Sequence, residues 1–525
     1  TSNTTGYQNV AVGAFALDAN TEGFENTAVG YNCLSDVTDG DHNTAVGHDA
    51  LENVTTGSYN TAVGRDAGRN IVTGSNNLCL GENTNDADDT TGVIALGSFA
   101  LSANQADYNV GMGYFAMRLN TTGSSNIAIG GNALESNTTG SNNTAVGRSA
   151  LINNTTGGSN TAVGANALDA NTTSNNNTAL GYNAFGANTS GSEGTAIGKS
   201  ALEANTTGES NTAVGHISLA VNTTGSGNCA VGRGTLYSNN GDYNTAFGYY
   251  AAFNVTTGAY NTAIGNECLK NSLTTGNRNT CVGSSCAQMY NGSNSVFIGN
   301  YCGKDKDSGD GNTGVGDYAL SSDQNGTTSG ENNVAIGQKA GKLISTGSQN
   351  VFVGKDAGDT VTTGSQCIAV GCNADPGNSG PTIVIGHDVA GKGQNTAFIA
   401  GTSGAYNGAN TTTWSQVSDI RIKKNIVENT KGLDLINAVQ IKNFEYKTSD
   451  EIIKDNPEFK DVIKKTVVNK EGTQLGVIAQ EIEEVLPEVV VTNAEGIKSV
   501  NSENLTWYLI NAVKELSARL DAAGL

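Results

Sequence analysis

The sequence predicts a mostly β protein. It reads as an elongated parallel β-roll or β-solenoid of about 24 repeats of 17 residues, trimeric, followed by a small α+β C-terminal domain ending in a coiled-coil-like helix. Three observations lead there. The five residues Asn-Thr-Ala-Val-Gly stand at Asn26–Gly30, Asn43–Gly47 and Asn60–Gly64, 17 residues apart. A second half-motif alternates with them, complete at Asn137-Thr-Thr-Gly140 and Asn154-Thr-Thr-Gly157. At Trp414 the composition changes: Lys and Glu become common, Gly becomes rare, and helical periodicity begins.

A fixed period of this length means one small unit copied many times, each copy packing on its neighbours. Units start from residue 9 through residue 395, mostly 17 apart, with slips of one residue and a larger insertion before Asn333. Within a unit, Thr144-Ala145-Val146 alternates and ends in Gly147, and Ser149-Ala150-Leu151-Ile152 runs to the second turn. Two short strands and two Gly/Asn turns per coil are therefore expected. The 69 glycines and many asparagines suit such turns, because both tolerate positive φ. Coils stacked at about 4.8 Å give a shaft on the order of 110 Å. Small residues make a narrow coil that buries little apolar area by itself, at about 25 cal/mol per Å². A second apolar face against symmetry mates is expected, most simply in a homotrimer.

The repeat decays near Ile399, which sets the domains: shaft 1–403, linker 404–417, C-terminal domain 418–525. In the last of these, Leu475–Ile478 is strand-like. Ile478, Ile482, Val485 and Leu486 share a helix face that Pro487 ends. Residues 447–473 are charged and read as an inserted loop. Leu505, Leu509, Ala512 and Leu516 keep the 4-3-4 spacing of a coiled-coil seam.

The net charge of −21 argues against nucleic acid as a partner, which needs a basic face. Before Ser418 stand 31 acidic and 14 basic residues, and from Ser418 onward 18 and 14, so the acidity belongs to the shaft. All nine cysteines precede Val417 at spacings that fit neither zinc nor a disulfide framework. Most replace repeat alanines and read as buried free thiols, with Cys286 and Cys302 close enough on stacked coils to pair. No signal peptide, lipidation motif or run of 18 apolar residues is read, so no membrane insertion is expected.

The C-terminal domain has neither His nor Cys, which excludes Ser-His-Asp and Cys-His chemistry within it. Ser or Thr with Lys, or a carboxylate pair, remains. Ser418-Asp-Ile-Arg-Ile-Lys-Lys-Asn-Ile426 places a Ser and a Lys five residues apart. With it stand Gly432-Leu-Asp-Leu-Ile436, then Gly476-Val-Ile-Ala-Gln-Glu-Ile-Glu-Glu-Val-Leu-Pro-Glu-Val489, then Leu505 through Leu516. In this order the four segments resemble the endosialidase-type intramolecular chaperone family, the self-cleaving trimerisation domain that ends many viral tail fibres and spikes. The resemblance spans about a fifth of the chain.

It implies a chaperone that assembles the preceding fibre and then cuts itself off between Val417 and Ser418, with Ser418 as nucleophile and Lys423 as general base. Asp419, Arg421, Lys424 and Asn425 would support them: Arg421 and Lys424 by charge that keeps Lys423 neutral, Asp419 by orienting the backbone or holding Arg421. Lys424 is a possible substitute base. Enzymatic activity is expected at most as this single turnover, with none in the shaft and no cofactor or metal anywhere. The shaft itself resembles phage and algal-virus tail-fibre segments and the β-roll heads of trimeric autotransporter adhesins. The implied role is a viral tail fibre on the virion, attached to a host-surface receptor or glycan; the alternative is an extracellular adhesin on a bacterial surface.

Three weaker patterns complete the reading. Asp305–Asp310 has calcium-loop character but lacks the bidentate Glu, so a solvated turn is expected, as for Asp86, Asp88 and Asp89. Tyr31, Tyr114, Tyr182 and Tyr249 follow repeat glycines and read as exposed turn residues ahead of a glycan ladder. The sequons at Asn120, Asn137 and Asn154 are explained by turn geometry.

Overall fold

A computed structural model describes residues 3–86, 89–271, 275–322, 328–400, 404–407, 424–455, 472–492 and 498–524. The chain divides into two compact units, Thr1–Val417 and Ser418–Leu525.

The first unit is a parallel β-solenoid with one strand per coil, from β1 (Val10–Val12) to β24 (Thr396–Ala400). Each strand pairs in register with the next, as Thr27↔Thr44, Ala28↔Ala45 and Val29↔Val46. Where the period slips, register does not: Leu78↔Ile94 still aligns across a coil of 16 residues. Length changes fall in the turns, because a one-residue strand slip would move Ala from the core to solvent. The shaft gains one last strand, β25 (Gly404–Asn407), antiparallel to β24, at the start of the stretch expected as linker.

Among the described residues the expected second strand of each coil does not form. In its place residues alternate in handedness, with Ser149 at φ 59° and Leu151 at φ 53°. Left-handed backbone costs a non-glycine residue roughly 1–2 kcal/mol. Complete burial of Leu151, worth about 1.5–3 kcal/mol, offsets that, and its N–H still reaches the next coil at Ala167 O, 3.0 Å. The repeat glycine has no such freedom. Gly164 sits at φ 139°, and a Cβ there would lie 2.3 Å from the Gly181 carbonyl oxygen.

The interior holds the middle strand alanines (Ala28, Ala45, Ala62), the second-half alanines or cysteines, and a leucine column. Two asparagine ladders run beside them. Asn43 N–H donates to Asn26 Oδ1 (2.9 Å) and Asn43 Nδ2 to Gly57 O (2.9 Å). Asn137 Nδ2 donates to Asn120 Oδ1 (2.7 Å) and to Gly140 O (2.9 Å).

Outward, the third residue of every strand from β1 to β22 is Val, Ile, Leu, Met or Phe, and none is buried. Ile264, Ile298 and Ile336 are 39%, 41% and 43% exposed. An unburied apolar line running along the shaft exceeds the scattered apolar surface of a lone chain.

The second unit contains α1 (Leu433–Ala438), β26 (Lys442–Phe444), α2 (Ser449–Asp455), β27 (Gln474–Gly476), α3 (Ala479–Val485), a 3₁₀ turn (Pro487–Val489), β28 (Val490–Thr492), β29 (Lys498–Val500) and α4 (Ser502–Ala523). β26 pairs antiparallel with β27, and β28 with β29. Ile482, Leu486, Val489 and Tyr508 form the core, with Leu435, Val477 and Leu505 packed on it. Helix α2 lies where a loop was expected. Thr448 and Glu451 make a capping box, Thr448 N–H to Glu451 Oε2 at 2.8 Å and Glu451 N–H to Thr448 Oγ1 at 3.4 Å.

The seam expected on α4 splits between two faces. Tyr508 and Ala512 are buried, and Leu505 packs on the core from the same face. Leu509, Val513, Leu516 and Leu520 are exposed. Their 4-3-4 spacing makes an outer apolar seam one residue out of phase with the inner one.

Candidate functional site

Ser418, Asp419, Arg421 and Lys423 lie outside the described residues, as does the bond between Val417 and Ser418. Lys424 and Asn425 are exposed, and Asn425 takes φ 56°, a left-handed turn that asparagine tolerates. Ile426 and Val427 follow at 63% and 84% exposure.

The chain from this motif is then fastened to α4. Asn511 Nδ2 donates to the carbonyls of Asn429 (2.8 Å) and Lys431 (3.3 Å). Glu515 Oε2 accepts the Leu433 N–H at 2.9 Å, where a carboxylate faces the open amides of the α1 N-terminus. That bond, together with Arg519, holds the Glu515 carboxyl below its usual range. Gly432 permits the approach, since a Cβ would meet Glu515 Oε2 at 2.9 Å and Ala512 N at 3.1 Å.

A second clamp joins the 3₁₀ turn to the same helix. The Glu488 carboxylate accepts from Tyr508 OH at 2.5 Å and from Lys431 Nζ at 3.2 Å. The tyrosine hydroxyl is the larger cause of the lowered Glu488 pKa, and burial followed by Glu488 raises that of Tyr508. Asn511, Glu515 and the Glu488–Tyr508 pair escape sequence reading because their partners lie 20 to 82 residues away. The arrangement fixes the segment after the Ser-Lys motif to the terminal helix through two neutral bonds from Asn511 and one charge-assisted bond to Glu515.

With this geometry in view, the family described as the chaperone of endosialidase matches residues 418–491. The match begins at Ser418 and covers the motif, α1, α3 and the start of the β28–β29 hairpin. No curated protein and no solved structure matches the chain. Among the described residues no helix is long and apolar enough to cross a membrane.

Asn120, Asn137 and Asn154 are fully buried ladder residues, so the folded shaft does not present them to solvent. The four tyrosines are exposed, each set against local side chains: Tyr31 stacks on His48 at 5.0 Å, and Arg233 lies 5.8 Å above Tyr249. The nine cysteines are free thiols. Cys286 Sγ donates to Phe297 O at 3.3 Å, and Cys268 Sγ to Cys281 O at 3.2 Å.

The expected solvated turn at Asp305–Asp310 is corrected at its centre. Lys306 occupies a fully buried ladder position, and its Nζ has no partner among the described residues. Burial pushes its pKa down to about 8.

Proposed function

We propose that this chain is a structural fibre or spike protein whose shaft associates as a trimer under the direction of its C-terminal chaperone. The chaperone then releases itself between Val417 and Ser418. The family match over residues 418–491, directly after a solenoid of 24 strands, carries this reading. The unburied apolar line on the shaft and the outer seam of α4 support it, since both become buried when copies associate.

In the release step Ser418 Oγ attacks the Val417 carbonyl carbon. Lys423, neutral at its amine, takes the hydroxyl proton and passes it to the departing Ser418 nitrogen. Breaking the C–N bond leaves a Val417–Ser418 ester that water hydrolyses. Lys423 must therefore lie well below its unperturbed pKa of about 10.4. The shaft serves attachment to a host surface, and the finished fibre belongs on a virion. A denaturing gel of the expressed chain tests the release step. Two bands in the wild type and one in Ser418→Ala are expected; an uncut wild-type chain contradicts self-cleavage.

A further inference from the structure

Near the start of the shaft, two successive coils bring an imidazole and two carboxylates together. His48, Asp49 and Asp66 each offer a ligand atom, and these atoms all lie within 4.8 Å of one another. The backbone fixes the placement. Asp49 and Asp66 occupy equivalent left-handed positions, at φ 55° and 59°, on adjacent coils. Asp49 N–H bonds Tyr31 O at 3.0 Å, and Asp66 N–H bonds His48 O at 2.9 Å. His48 Nδ1 stands 3.0 Å from Asp49 Oδ2, and the Tyr31 ring stacks against the imidazole.

Two features set this group apart from an ordinary surface ion pair. Asp49 Oδ1 is buried with no hydrogen-bond partner among the described residues, although a carboxylate oxygen out of water needs a donor or a cation. Asp66 is paired with Arg65 at 3.2 Å and with Arg69 at 3.8 Å, but both arginines have a second carboxylate in reach. Arg65 also pairs with Glu82, and Arg69 with Glu52 at 2.8 Å. Asp66 can turn to a metal without stranding either guanidinium.

We propose that His48, Asp49 and Asp66 hold one divalent transition-metal ion, of the zinc, cobalt or nickel type, which ties two coils of the shaft together. One imidazole nitrogen with two carboxylates favours these ions over calcium or magnesium, which take oxygen ligands. The His48 side chain is 56% exposed, which leaves a path for the ion and room for water to complete its coordination. The chain also supplies a control. His387 and Asp388 repeat the same pair, Nδ1 to Oδ2 at 2.8 Å, but no third ligand joins them among the described residues.

Isothermal titration of the untagged full chain with Zn²⁺, and the visible absorption of Co²⁺ added in its place, test the site. One ion per chain is expected. His48→Ala and Asp49→Asn should each weaken binding by about tenfold or more, and His387→Ala should leave it unchanged. Circular dichroism confirms that the variants fold, and Asp49→Asn keeps the shape of the side chain it replaces. Absence of binding, undiminished binding in Asp49→Asn, or equal loss in His387→Ala overturns the proposal.

Discussion

Asn160 holds its coil to both neighbours, by its backbone N–H on one side and its side chain on the other. Its own N–H donates to Asn143 Oδ1 at 3.0 Å, its Oδ1 accepts from Asn177 N at 3.0 Å, and its Nδ2 donates to Ser174 O at 2.9 Å. Asn160→Ala leaves the buried Asn177 N–H without a partner, at about 1–3 kcal/mol, and takes from Ser174 O the nearer of its two donors, the other being Asn171 Nδ2 at 3.3 Å. Faster amide exchange confined to the coils around it is the expected outcome; unchanged exchange would show the ladder to be dispensable. Lys306 gives a pH-dependent counterpart. Its folded pKa of about 8 lies below the ordinary 10.5, so between these values the unfolded chain binds a proton that the fold does not. Stability therefore rises with pH across that window, and below about 8 the fold carries the full penalty. Lys306→Met should remove the slope and raise stability at pH 7, read from urea midpoints at pH 7 and 10. At this scale the turn asparagines were legible only in part. Asn76, Asn142 and Asn176 take positive φ as their type suggests, but Glu25 and Tyr59 fill the same repeat position and Leu34 another, while Asn26 and Asn60 bond inside the core.

The coil and the terminal helix show how far pattern alone reaches. Period, strand position and inward alanine were all legible, because a 17-residue spacing repeated along the shaft admits one stacking solution. The handedness of Ser149–Leu151 was not, since an alternating apolar pattern looks the same whether the backbone is extended or curls through left-handed residues. In α4 the heptad spacing was visible but not its division into two faces, which depends on contacts with α1 and the 3₁₀ turn far away in sequence. The Ser-Lys motif was legible in the same way, as a local string, whereas its anchors Asn511 and Glu515 were not. The division predicts opposite phenotypes. Leu516→Glu, on the outer seam, should abolish association while leaving the helical circular dichroism of the unit intact. Tyr508→Ala removes a buried ring and the Glu488 bond, and should unfold the unit by about 3–5 kcal/mol. Equal effects of the two on folding would contradict the two-faced helix.

Over the whole molecule, near-identical coils raise a problem of register. Every unit resembles its neighbour, so three chains could associate one or more coils out of step with little local penalty. The proposed trimerising role of the C-terminal unit would solve this by aligning the chains before the apolar lines along the shafts meet. The proposed function therefore requires association of three chains through the shaft face and the terminal helices. Its most direct test is the solution mass of the uncleavable Ser418→Ala chain by light scattering, compared with Ile264→Asp/Ile298→Asp in the same background. A mass three times the 53.6 kDa of one chain, reduced by the double variant, is the predicted result. A mass of 53.6 kDa for the parent would contradict it.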